Sequence, residues 1–192
     1  MPAFAEAKKT WTVAEYLIFE QQQGERYEFR NGNLIMMAGG SINHNRIAQN
    51  LSKYLDNALE DMPQFQVFGS DQKIYLPKFN FYVYADALVV TETPLVAKEE
   101  AQAITNPILI VEILSKTTEQ YDRNQKFLEY RSLPSFKEYV LVRQDAPEVL
   151  TFYKVNSNMW QEEEFIGLEG NVPLKSLGIE LSLGDIYRRV EF

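Results

Sequence analysis

Apolar and polar positions divide the chain into segments of two different periods. From Val13 to Gln23 the apolar residues Val13, Tyr16 and Leu17 fall at helical spacing behind Thr12, whose hydroxyl can accept from a free first-turn amide. This predicts a short amphipathic helix ended by Gly24. In RYEFRNGNLIMM the period falls to two on either side of Asn31-Gly32, the dipeptide best suited to a tight hairpin turn. After Gly39-Gly40, Ser41 can cap a long helix whose stripe of Ile42, Ile47, Leu51, Tyr54, Leu55 and Leu59 runs to about Asp61.

FQVFGSDQKIYLP and FNFYVYADALVV are rich in aromatic and β-branched residues and read as one long hairpin turning at Pro77 to Asn80. A polar, acidic connection, Thr91 to Thr105, leads through Pro107 into ILIVEILSKT. That run is short and apolar except for one glutamate, as in a central strand covered on both faces. Thr117 and Gln120 have capping-box spacing, and a helix from about Thr118 to Arg131 should follow, stopped by Leu133-Pro134. FKEYVLV, EVLTFYKV and WQEEEFIG read as three more strands. Val172 to Phe192 reads as a short strand and a helical turn at Leu183 to Arg188. The order implies an α/β domain with a mixed central β-sheet flanked by helices, preceded by a helix and a hairpin.

A length of 192 residues suits one domain, residues 1–192, with one core. With 19 basic and 27 acidic residues the formal net charge is −8, so a nucleic-acid site must be local rather than a general basic coat. The absence of cysteine excludes disulfides, thiolate zinc sites and cysteine nucleophiles. Phosphate-cradling glycine loops are not present. MPAFAEAKKTW lacks the apolar core of a secretory signal and no run is long enough to span a membrane, so a cytoplasmic protein is expected.

Two acids are out of place in strand-like runs. Asp86 stands within YVYADALVV and Glu112 within ILIVEIL; alternation sets the first with Tyr84 and Leu88, the second with Ile110 and Leu114. A buried carboxylate takes up a proton, finds a partner or binds a metal. If these strands are neighbours, the pair forms a hard-oxygen site suited to Mg²⁺ or Mn²⁺. Separate salt bridges at strand ends are the other reading of the same residues.

The ordered set ERYEFRNGNLIMMAGG, HNRIAQNL, YADALVV and PILIVEILSKTTEQYDRNQKFLEYRSLPSFKEYVLV resembles the Uma-two family of restriction endonucleases, within the PD-(D/E)XK nuclease superfamily, over about residues 11–186. The resemblance implies a restriction-endonuclease-like fold, with Asp86 and Glu112 as metal-binding acids and Glu28 as an N-terminal acid of the site; an exposed hairpin glutamate is the other reading of Glu28. Ala85 stands where the superfamily pattern has proline. Leu114 stands where it has lysine, and Lys126 on the following helix matches the position that takes over in this family. Tyr121, Phe127 and Leu128 would form the apolar face beside it.

The activity implied is Mg²⁺-dependent DNA endonuclease chemistry, with Asp86, Glu112, Lys126 and Glu28 as catalytic residues and DNA as the partner. The alternative is a catalytically weak or inactive nuclease-fold module that binds nucleic acid or protein. His44, the single histidine, is a candidate proton relay, DNA contact or helix-end hydrogen-bonder. Arg46, Lys53, Lys73 and Lys116 are candidate phosphate contacts or solvated surface charges, and Gln72 a candidate polar contact in the site. The aromatic-rich hairpin around Phe79 to Tyr84 suggests a homodimer.

Overall fold

The computed structural model describes residues 10–37, 39–99, 102–116 and 118–192. Thr117, expected to cap a helix, lies outside the described residues, as do residues 100 and 101 of the acidic connection.

Helix α1 (Val13–Gln23) opens on a reciprocal cap: Glu15 N donates to the Thr12 hydroxyl at 3.2 Å and Thr12 N donates to the Glu15 carboxylate at 2.9 Å. Strands β1 (Tyr27–Arg30) and β2 (Asn33–Met36) turn through Asn31 and Gly32 at φ 49° and 76°. A Cβ at 32 would also crowd the preceding segment, 2.5 Å from Thr10 Cγ2 and 3.2 Å from the Trp11 carbonyl oxygen. Helix α2 (Ile42–Leu59) starts at Ser41, whose hydroxyl accepts from His44 N at 3.1 Å.

The long hairpin expected beyond α2 is present, but bent. β3 (Phe65–Gly69) pairs with β6 (Ala87–Thr91), and β4 (Lys73–Leu76) with β5 (Phe81–Tyr84). Between the two ladders three residues, 70–72, face two, Ala85 and Asp86. Such a mismatch bends a ladder. It carries the hairpin from a six-stranded sheet into a four-stranded sheet of order β2-β1-β5-β4, and Asp86 sits at the bend.

The large sheet has the order β10-β9-β8-β7-β6-β3, with β7 (Pro107–Leu114), β8 (Glu138–Arg143), β9 (Glu148–Lys154) and β10 (Trp160–Ile166). β7 and β8 are parallel and the other neighbours antiparallel, which gives the expected mixed sheet. All eight residues of β7 are buried. On one face Ile47, Leu51 and Leu55 of α2 pack on Val89, Leu109, Val111 and Val142, together with β11 (Asn171–Leu174), β12 (Ile179–Ser182) and α5 (Leu183–Ile186). The sequence pattern gave one strand in this last region; the structure pairs two, Val172 opposite Leu181. Truncating one fully buried leucine of α2 to alanine is expected to cost about 2–5 kcal/mol. The other face carries Leu88, Ile110, Leu114 and Leu141 against Tyr130, Leu133 and Phe136.

The segment that supplies Tyr130 is not the uniform helix expected. It is an α turn, α3 (Glu119–Tyr121), a π-helical segment, Asp122–Lys126, and a second α turn, α4 (Phe127–Tyr130). Its inward side is charged: Asp122, Lys126 and Glu129 are buried with Tyr130, whereas Leu128, expected on an apolar face, is 56% exposed. The hairpin aromatics Phe81, Tyr82 and Tyr84 are buried within the chain, so the surplus that suggested a second copy is covered internally. Among the described residues no helix is long and apolar enough to cross a membrane.

Candidate active site

The β6–β7 register sets Ala87 opposite Val111 and Leu88 opposite Ile110, and continuing it brings Asp86 level with Glu112. Asp86 N donates to Val111 O at 3.1 Å. Its Oδ2 accepts from Ile113 N at 2.6 Å, and its Oδ1 stands 3.1 Å from His44 Nε2. Carboxylate and backbone together thus tie the bend of the hairpin to the central strand.

Glu112 faces the π-helical segment. Its Oε1 accepts from Lys126 Nζ and from Tyr130 OH, each at 2.7 Å, while Oε2 accepts no hydrogen bond from a described residue. Lys126 Nζ also lies 3.8 Å from Asp122 and 3.9 Å from Glu28. Glu28 comes from the four-stranded sheet, where its Oε1 accepts from Tyr84 N at 3.4 Å and its Oε2 from Arg30 Nε at 2.8 Å. The fold therefore gathers Glu28, Glu112 and Asp122 around the ammonium of Lys126, with Asp86 in register beside Glu112.

Three carboxylates, Glu112, Asp122 and Glu28, share one lysine here, and the titration follows from that imbalance. Burial pushes the Glu112 carboxyl up to about 8, against the attraction of Lys126 and aided by the negative charges of Asp122 and Asp86. Burial also raises Asp122. For Lys126 burial opposes the charge, but Glu112, Glu28 and Asp122 outweigh it and hold the amine protonated above its ordinary range. His44 is raised by its hydrogen bond to Asp86, which outweighs the opposing effect of burial. Its Nδ1 is buried without a partner among the described residues.

The donor set fits a hard divalent cation. Among the described residues no three carboxylates or imidazoles are grouped so as to hold a metal by themselves. Mg²⁺, however, is commonly held by one or two carboxylates and completes its octahedron with waters and substrate oxygens. Glu112 Oε2 is available, and each Asp86 oxygen keeps a lone pair beyond its single contact. An entering cation would replace the proton that burial otherwise places on Glu112. Beside Asp86 an open groove of about 640 Å³ runs between Asn45, Gln49 and Ser52 of α2 and residues 69–72 of the bend.

Other candidates are placed elsewhere. Lys73 pairs with Glu20 at 2.6 Å, and Gln72 donates to the carbonyls of Lys73 and Gln102. Lys53 lies over its neighbour Tyr54, and Lys116 is exposed. Leu114 is buried in the same apolar cluster as Tyr139 and Leu141. Asp122, Arg30 and Glu129 were not singled out from the sequence. Asp122 had a signal, since it precedes Lys126 by four residues; Glu129 had none, because its partner Arg30 is 99 positions away.

Known proteins supply independent comparisons. The family model described as "Uma2: Putative restriction endonuclease" matches residues 13–184. Two uncharacterized proteins of Synechocystis sp. are similar: sll1609, 37% identical over 89% of this chain and 96% of its own length, and slr1290, 33% identical over 93% and 92%. Among solved structures, a crystallised "putative nuclease belonging to DUF820" from Anabaena variabilis superposes with a TM-score of 0.72 at 16% identity. It covers 92% of this chain and 97% of its own, a likeness that concerns the fold.

Proposed function

The chain belongs to the Uma2 family of restriction-endonuclease-like proteins, and on that premise we propose that it is a Mg²⁺- or Mn²⁺-dependent DNA endonuclease that hydrolyses phosphodiester bonds with a metal-activated water. The observation that carries the reading is the meeting of Glu28, Glu112 and Lys126 from two sheets and a π-helical segment, with Asp86 in register beside them. Asp86 and Glu112 would hold the cation, which supplies a more acidic water and neutralises charge on the phosphate. Lys126 keeps its proton and would orient the attacking water or donate to a phosphate oxygen. Tyr130 keeps Glu112 oriented through its hydroxyl. Glu28, 3.9 Å away, balances the charge of Lys126, and the His44–Asp86 contact fixes the Asp86 carboxylate.

The test is cleavage of supercoiled and linear DNA by the purified chain with Mg²⁺ or Mn²⁺, beside Asp86→Ala. Loss of cleavage in the variant is expected, and equal cleavage by both proteins would reject the assignment. One observation favours a second reading, a nuclease-fold binding module without turnover: Lys126 already occupies Glu112 Oε1 at 2.7 Å. Metal-independent DNA or protein binding with no cleavage would select it. As an endonuclease cutting both strands the protein would act as a homodimer in the cytoplasm, and a monomer by sedimentation on DNA would remove that part of the proposal.

A further inference from the structure

The residue that ties the two halves of the site together is Arg30, which lies outside the set just described. It is 8% exposed and its guanidinium is divided between two carboxylates: Nε donates to Glu28 Oε2 at 2.8 Å, and Nη1 donates to Glu129 Oε2. The ring of Phe81 lies 5.1 Å from the guanidinium carbon and that of Tyr121 5.3 Å. Nη2 is buried without a partner among the described residues. A guanidinium that leaves one donor unpaired in the interior is held by the remaining contacts.

Those contacts bracket the π-helical segment. Tyr121 immediately precedes Asp122–Lys126, and Glu129 follows it by three residues. Glu129 accepts from Gln125, inside the segment, through its other oxygen at 3.0 Å. The flanks have α geometry: Asp122 N donates to Thr118 O at 2.9 Å and Arg131 N to Phe127 O at 3.0 Å. A π turn has no advantage over an α turn for the backbone itself, and such turns persist where surrounding contacts require them. Inside the segment the Tyr139 hydroxyl donates to Asp122 O at 3.1 Å and Lys126 pairs with Glu112; on its two flanks the contacts come from one side chain on β1, Arg30, whose Nε also holds Glu28.

We propose that Arg30 is a positioning residue that maintains the π-helical register of Asp122–Lys126 and thereby places Lys126 against Glu112 and Glu28. Its importance for catalysis rests on the nuclease reading of Lys126; its control of the register does not. Without Arg30 the segment closes toward α geometry, Lys126 leaves Glu112, and Glu28 loses its orienting bond.

The test reads the place of Lys126 directly. Full-length wild type, Arg30→Met and Glu129→Gln are exposed to a limiting amine-methylating reagent, and labelling at Lys126 is followed by peptide mass spectrometry. Leu55→Ala serves as a comparably destabilised control. Lys126 is expected to be protected in wild type and control and labelled at least about tenfold faster in Arg30→Met, with Glu129→Gln intermediate. If Arg30→Met does not fold, Glu129→Gln removes the charge from the same bond on the helix side, leaving a weaker neutral acceptor, and decides alone. Where wild type cleaves DNA, both variants are expected to lower kcat with KM unchanged, and Arg30→Lys to restore part of it. Protection of Lys126 equal to wild type in the folded variants, or a crystal structure of either retaining the π segment, would overturn the proposal. Because labelling needs no turnover, a wild type that cuts no DNA removes the nuclease reading and leaves this result intact.

Discussion

Replacing Glu112 by glutamine in the metal-free protein isolates the strain that the site carries. Glu112 is 5% exposed, and its carboxyl is raised from an ordinary value of 4.5 to about 8, first by burial and then by Asp122 and Asp86. Between those two values the folded state binds a proton that the unfolded chain has released. Stability therefore falls as pH rises through this interval, by at most about 1.4 kcal/mol per unit, and levels off above the folded value. The full span amounts to about 5 kcal/mol as an upper limit. Glutamine does not titrate, so the free-energy difference between wild type and Glu112→Gln should carry this dependence alone, while the shared contributions of Asp122 and His44 largely cancel. The attraction of Lys126 for ionised Glu112 is already part of that value, and in the variant Glu28 at 3.9 Å and Asp122 at 3.8 Å remain beside the ammonium. Urea unfolding in chelator from pH 5 to pH 9 should show Glu112→Gln gaining several kcal/mol on wild type as pH rises. A difference constant within about 0.5 kcal/mol across the range would refute the burial argument.

Other outcomes follow from the same geometry. Added Mn²⁺ should stabilise wild type at pH 8.5 by about 3 kcal/mol when present at a hundredfold its dissociation constant, and should leave Asp86→Asn unchanged in thermal melts. Tyr130→Phe removes one of two donors to Glu112 Oε1 and should cost about 1–3 kcal/mol in urea while lowering the cleavage rate. Gly40→Ala places a Cβ 2.6 Å from His44 Nδ1; it should move the imidazole off Asp86, shift the His44 NMR signals and lower activity about tenfold with little change in melting temperature.

The sequence carried the elements better than it carried their neighbours. The apolar run 107–114 identified the central strand because all eight of its side chains are buried, and Asn31-Gly32 marked the hairpin because its turn requires positive φ. Asp86 and Glu112 were visible as acids in β-rich runs, a local signal. The bend at Asp86 was not visible, since a three-against-two mismatch shows only once both strands are in register. The helical segment was misread for a related reason. Its buried side is set by Lys126, Asp122 and Glu129, whose burial is tolerated because charges from other elements await them, and a hydrophobicity pattern has no term for such partners. Arg30 and Glu129, far apart in the chain, left no local trace at all.

The claim on which the account depends is that Asp86 and Glu112 together hold the cation the reaction needs. Anomalous diffraction from crystals soaked in Mn²⁺ tests it directly. The account predicts one peak about 2.1 Å from an Asp86 oxygen and from Glu112 Oε2, with Lys126 Nζ drawn away from Glu112. A peak confined to the acidic run Glu162–Glu164, or none, with Lys126 still on Glu112, would contradict it.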